Sequence, residues 1–178
     1  MAKKVIVAGL LGGLVMIGWT FVVNGILGFK VAVDMNEIPH ERQIYEVLRA
    51  HVTEPGRYIC NPGPTENGYP PGEPVFSVLY GGVGHEAAGM LALVQLAIAF
   101  IAPMIAAWLL SLGSKRVLSR YWRKVIFFTA LGLLLGLSGH LMEFGIGGYP
   151  LQSAMILVMH EIALWTAVGL VVAWKLKP

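Results

Sequence analysis

Residues 87–114, AAGMLALVQLAIAFIAPMIAAWLLSLGS, run without one charged side chain. A helix needs about 20 mostly apolar residues to cross the hydrocarbon of a bilayer, so this stretch holds a membrane span. Three further runs match it: Val5 to about Phe29, Val125 to about Phe144, and Leu151 to Trp174. Four such runs take up roughly half of the chain and decide its fold class.

Composition agrees. Of 178 residues, 56% are hydrophobic and 13% charged, against about a quarter charged in a soluble domain. The mean hydropathy is +0.69. The expected fold is an all-α membrane protein of four transmembrane helices. Residues 1–29 form the first helix, 30–84 an extracytoplasmic cap, and 85–178 helices two to four with a basic loop at 114–124. Lys3 and Lys4 ahead of an apolar run resemble the start of a signal peptide. The run is longer than a signal h-region, however, and Gly25 and Gly28 make a poor cleavage site, so the helix is read as retained.

The charges orient the spans. Lys3, Lys4, Lys115, Arg116, Arg120, Arg123, Lys124, Lys175 and Lys177 all flank what would be one side, whereas 30–84 carries seven acids and four bases. The positive-inside rule then puts both termini and the basic loop in the cytoplasm, with 30–84 facing the periplasm or exterior. A net charge of +3 therefore reflects topology and not a nucleic-acid partner. No Walker A loop, GxGxxG or zinc-finger spacing occurs, which argues against nucleotide or nucleic acid as partners. The single cysteine, Cys60, excludes an internal disulfide, a CxxC pair, a Cys-rich metal site and c-type haem attachment. Without a basic neighbour it reads as inert filler.

Within the cap, Asn36 is a candidate helix N-cap with Pro39 in the first turn. Ile44, Val47, Leu48 and His51 then share one face at i, i+3, i+4, i+7. That helix is expected over the outer mouth of the bundle. Arg57–Cys60 and Val75–Tyr80 can pair as short strands around a proline- and glycine-rich turn. Along the spans, Gly9 with Gly13 and Gly132 with Gly136 have the spacing that lets helix backbones approach closely in lipid. Trp19, Trp108, Trp122, Trp165 and Trp174 read as packing or interface anchors.

The polar residues inside the spans are unevenly placed. His85 and Glu86 open span two, His140 and Glu143 lie near the outer end of span three, and His160 and Glu161 lie inside span four. Helix rise puts His160 about 12–14 Å and His140 about 6–9 Å below the outer boundary. Asn24 and Gln95 join them in the outer half. Charged groups at such depth usually face the bundle interior and have partners. His160 and Glu161, being adjacent, diverge by about 100° around the helix. His140 and Glu143 should share a face, and His140 is the expected partner of His160.

Three imidazoles with a carboxylate beside each suit a transition metal (copper, zinc or iron), with His85, His140 and His160 as ligands and Glu86, Glu143 and Glu161 as ligands or orienting groups. Met90, Met142, Met155 and Met159 could add thioethers, although methionines at helical spacing are more often core filler. A b-type haem between His140 and His160 ranks below a bare metal. The paired ExxH motifs of a di-iron bundle are absent.

The segment Glu54-Pro55-Gly56-Arg57-Tyr58, together with the order of spans, resembles small uncharacterised bacterial inner-membrane proteins that have four spans and an outward-facing cap. The resemblance implies the fold and the plasma-membrane location, and transfers no catalytic residue. The expected function is metal handling, or metal-dependent redox or hydrolytic chemistry. Alternatives are an accessory subunit of a larger complex, a homo-oligomer, and a small proton-coupled transporter.

Overall fold

The structure, a computed structural model, describes residues 2–60, 76–82, 84–147 and 149–176, with the side chains at 60, 84–88 and 145–147 left aside. In chain order it comprises α1 (Ala2–Trp19), a π-helical segment (Thr20–Ile26), α2 (Phe29–Asp34), α3 (Glu41–His51), β1 (Gly56–Cys60) and β2 (Phe76–Tyr80). Then follow α4 (Gly84–Ser111), α5 (Lys115–Leu118), α6 (Tyr121–Gly136), a second π-helical segment (Leu137–Leu141), α7 (Met142–Gly147) and α8 (Leu151–Lys175). Four stretches are long and apolar enough to cross a membrane: Ala2–Ile26, Gly89–Ser111, Tyr121–Phe144 and Leu151–Lys175. They lie within a few residues of the runs read from the sequence, and the chain is a multi-pass membrane protein. It divides into two compact units, one of Met1–Asn36 with Ala92–Pro178 and one of Glu37–Leu91.

In the first unit α8 is the hub, packed along both α6 and α1. Lipid tails are as apolar as leucine, so helices in a bilayer gain little from burying leucine against leucine; close van der Waals contact must hold them. Glycine provides it. A Cβ on Gly132 would lie 2.8 Å from Trp165 Cβ and 2.9 Å from the Glu161 carbonyl oxygen; one on Gly136 would lie 3.1 Å from Val158 Cα. From the other side, a Cβ on Gly169 would lie 2.6 Å from Phe128 Cβ. Gly12 fits between Pro103 of α4 and Val168 and Val172 of α8, where three helices meet. Gly9 and Gly13 press on Met104 and on Phe100 with Ala99. Both expected glycine pairs thus mark real helix seams, and Gly12 and Gly169 add to them. Phe128, Leu110, Val168, Val172 and Pro103 are fully buried at the centre.

These contacts fix the helix directions. Tyr121, Phe128, Gly132 and Gly136 meet successively earlier positions of α8, so α6 and α8 are antiparallel. By the same test α1 runs antiparallel to both α4 and α8. The start of α1, the α5 loop and the end of α8 therefore share one end, here called the basic end. There Lys124, buried at the start of α6, donates to the carbonyl of Leu176, and Tyr121 donates to that of Leu170. A lysine on the last carbonyls of a helix satisfies acceptors that have no intrahelical donor and complements the helix dipole. Midway along the seam, Thr129 Oγ1 and Thr166 Oγ1 are 2.9 Å apart, each also near its own i−4 carbonyl. Two hydroxyl protons serve three contacts. The shorter Thr166–Ile162 bond, 2.7 Å, leaves Thr129 to bridge the helices.

The second unit corrects one expectation and bears out another. Its helix begins at Glu41, after His40 at φ 60°, so neither Asn36 nor Pro39 forms its first turn. On that helix Ile44, Val47 and His51 are exposed and Leu48 is half-buried. The expected strand pair is present: β1 and β2 pair antiparallel with Gly56 opposite Tyr80 and Cys60 opposite Phe76, so the fold class is not purely α. Tyr58, Val78 and Tyr80 alternate with exposed Arg57, Ile59, Ser77 and Leu79, as the period of two requires. The half-buried side and α3 enclose a cavity of about 310 Å³ between Tyr45, Leu48 and Val78.

The seams predict a ranked glycine series. Gly9→Ala and Gly169→Ala should each lower unfolding stability in micelles by about 1–3 kcal/mol through overpacking. Gly18→Ala, where the new methyl meets nothing within 4 Å, should be neutral or stabilising by up to about 1 kcal/mol. Equal effects at all three positions would contradict the packing described.

Candidate functional site

The end of the bundle opposite the basic end collects the polar side chains of the spans. Two departures from α-helical geometry shape it. Beyond Trp19, span one widens into a π-helical stretch, in which Leu27 N–H bonds five residues back to Val22. In span three the π turn Leu137–Leu141 contains His140. Such insertions are rare and recur at functional sites. After the first of them, Gly28 takes a left-handed conformation (φ 62°), which glycine adopts without strain, and α2 restarts at Phe29.

That turn brings Phe29 onto His160. The two rings stack with centroids 5.0 Å apart and planes 15° from parallel. On the ring's edge, Trp19 Nε1 donates to His160 Nε2 at 2.9 Å. An indole N–H can only donate, so Nε2 must present its lone pair, and the proton of the neutral ring sits on Nδ1. His140 and Glu161, with Lys30 on α2, all lie within electrostatic reach of His160. Nearby in sequence to this clamp, Asn24 in the first π segment has its Oδ1 buried without a hydrogen-bond donor among the described residues. Tyr149 donates to the Asp34 carboxylate and ties α2 to the connection between spans three and four.

The divergence expected for His160 and Glu161 is present, but their partners differ from those expected. His160 turns to α1 and pairs with Trp19, not with His140. Glu161 Oε1 accepts from Trp165 Nε1, one turn further along α8, at 2.8 Å. Trp165 is itself buried and stacked on Phe128. His140 and Glu143 also part company: His140 is half-buried and Glu143 exposed. His140 lies within the π turn, where more residues make up a turn, so a spacing of three no longer stacks side chains on one face. Met90, Met142, Met155 and Met159 are all exposed, and so are not core filler. His85 and Glu86 stand on the first turn of α4, where side chains lie outside the described residues, as does that of Cys60.

Among the described residues, no three His, Cys, Asp or Glu side chains gather closely enough to hold one metal ion. His160 itself offers no free lone pair while Trp19 holds Nε2. What the arrangement leaves available is the Nδ1–H of His160, the Asn24 oxygen and the Lys30 ammonium.

In the sequence Trp19 reads only as a packing or interface anchor, and nothing there marks Phe29 or Lys30 for this site. A signal for Trp19 was present, because a tryptophan N–H at membrane depth must find an acceptor. Trp19 lies about 25 Å from the start of α1 and His160 about 22 Å from the end of α8, which are matching heights above the basic end. No family model, no curated protein and no solved structure matches the chain.

A double-mutant cycle tests the clamp. Trp19→Phe keeps the ring but removes the donor, and should couple to His160→Ala by about 0.6–1.7 kcal/mol, the range for interhelical hydrogen bonds in membranes. Strict additivity in unfolding measurements would remove the bond.

Proposed function

We propose that this protein is a self-associating subunit of a bacterial plasma-membrane assembly, and that α4 is the helix it presents. The observation that carries this reading is the exposure of α4: from Gly89 to Ile98 every residue is exposed, on all sides of the helix. Most of these residues suit lipid. Gln95 does not. It lies about 9 Å inside the span that begins at Gly89, and its amide needs both donors and acceptors. Two copies inserted the same way into a bilayer present parallel α4 helices about a twofold axis normal to the membrane. Gln95 then meets Gln95 at equal depth, and a primary amide is self-complementary. Interhelical bonds of this kind contribute about 0.6–2 kcal/mol in membranes. The basic residues gathered at one end support an orientation with that end in the cytoplasm and the Glu37–Leu91 unit facing the periplasm.

The test is cysteine cross-linking in native membranes on a Cys60→Ser background. Gln95→Cys should oxidise to a disulfide-linked homodimer, Leu10→Cys on the exposed side of α1 should not, and Gln95→Leu should shift the native-gel band toward monomer. A monomeric wild type with no Gln95→Cys product would refute the reading, and so would a larger assembly in which Gln95 never contacts its own copy.

A second reading rests on the charges around His160 and the unpartnered Asn24 oxygen: a transition metal held by His85, His140 and His160 with Glu86, Glu143 and Glu161, or a haem between His140 and His160. Either use of His160 requires Trp19 to give up the Nε2 lone pair. Metal or haem content of purified protein should then rise in Trp19→Phe, vanish in His140→Ala and His160→Ala, and only weaken in His85→Ala. Absence from both wild type and Trp19→Phe after refilling would eliminate it.

A further inference from the structure

Near the basic end, α1 and α4 separate. They touch where Gly9 admits Met104 and Gly13 admits Phe100. One to two turns further toward that end, no glycine draws the helices together. The result is a groove of about 350 Å³ between Ala2, Val5 and Ile6 on α1 and Met104, Trp108 and Ser111 on α4.

The walls of the groove are almost wholly apolar, with Ile6 and Trp108 each half exposed. The Ser111 hydroxyl on the wall is turned back onto the Trp108 carbonyl. The Trp108 indole N–H has no acceptor among the described residues. Its position close to the end of a span is the level at which tryptophan meets lipid headgroups and ester carbonyls.

At the groove's open end the charges have one sign. Lys3 and Lys4 follow Ala2 directly on α1, and Lys115 and Arg116 open α5 just after α4 ends at Ser111. All four are exposed, and none forms an ion pair among the described residues. No acidic residue lies on α1, on Gly89–Ser111 or on α5. An apolar slot in the membrane, a free indole donor at headgroup level and uncompensated cations above it match one kind of molecule.

We propose that this groove binds an anionic phospholipid, with an acyl chain between Ile6 and Met104 and the phosphate against Lys3 and Lys115. A zwitterionic lipid fits the slot equally well but carries a choline or amine that the cations repel, so the charges supply the selectivity. The site lies at the opposite end of the bundle from His160 and does not touch Gln95, so it stands whether or not the chain self-associates.

Quenching of tryptophan fluorescence by lipids brominated on the acyl chains reads this contact directly. The Trp108 contribution is isolated by comparison with Trp108→Phe, at matched size-exclusion profile. In mixed micelles, brominated phosphatidylglycerol should quench Trp108 at about a tenfold lower mole fraction than brominated phosphatidylcholine. The Lys3→Gln/Lys4→Gln/Lys115→Gln variant should lose that preference while its response to phosphatidylcholine is unchanged. Ile6→Phe, which fills the slot and keeps every charge, should weaken quenching by both lipids. Equal quenching by the two lipids in the wild type, a preference that survives removal of the lysines, or quenching indifferent to Ile6→Phe would each overturn the proposal.

Discussion

Hydrocarbon provides no hydrogen-bond partner for a polar group and little reward for placing one leucine beside another. Both constraints converge on α8. Gly132, Gly136 and Gly169 let the backbones of α6 and α8 approach until side chain meets main chain, and Gly12 does the same for α1 where it crosses α8 and Pro103 of α4. Without that proximity the polar pairs along α8 would be out of reach of one another. Thr129 would not span to Thr166, and Trp19 would not reach His160.

The second constraint accounts for the polar contacts as a set. From the basic end to the polar end, α8 presents a carbonyl to Lys124, a carbonyl to Tyr121, a hydroxyl to Thr129 and an imidazole nitrogen to Trp19, while Glu161 is satisfied within the helix by Trp165. Each removes a group that lipid could not satisfy. Against this background two amides stand out. Among the described residues, Asn24 has an oxygen buried without a donor and Gln95 is exposed on α4.

How much of this was legible in the sequence follows from the range of the forces involved. The spans were legible because hydropathy is additive along the chain, and the glycine seams because close approach needs a small residue at each end of a helical repeat. That His140, Glu143, His160 and Glu161 lie toward the end opposite the basic end was legible because helix rise converts position to depth. Their partners were not. Pairing depends on azimuth, and each π segment resets the azimuth of everything beyond it, which separated His140 from Glu143 and brought Phe29 to His160. A tryptophan counted as an apolar anchor hid the donor that His160 uses. The start of α3 was missed for a related reason: His40 takes a left-handed conformation that its residue type does not announce.

The claim on which the account most depends is that His160 is committed as a hydrogen-bond acceptor inside the bundle. Nitrogen NMR of ¹⁵N-histidine-labelled protein in lipid bilayers reads this at the atom concerned, with the His160 signals assigned by their loss in His160→Gln. The account predicts an Nδ1 that carries the proton and an Nε2 that does not, the latter shifting in Trp19→Phe. A proton on Nε2, or an Nε2 signal indifferent to Trp19, would contradict it.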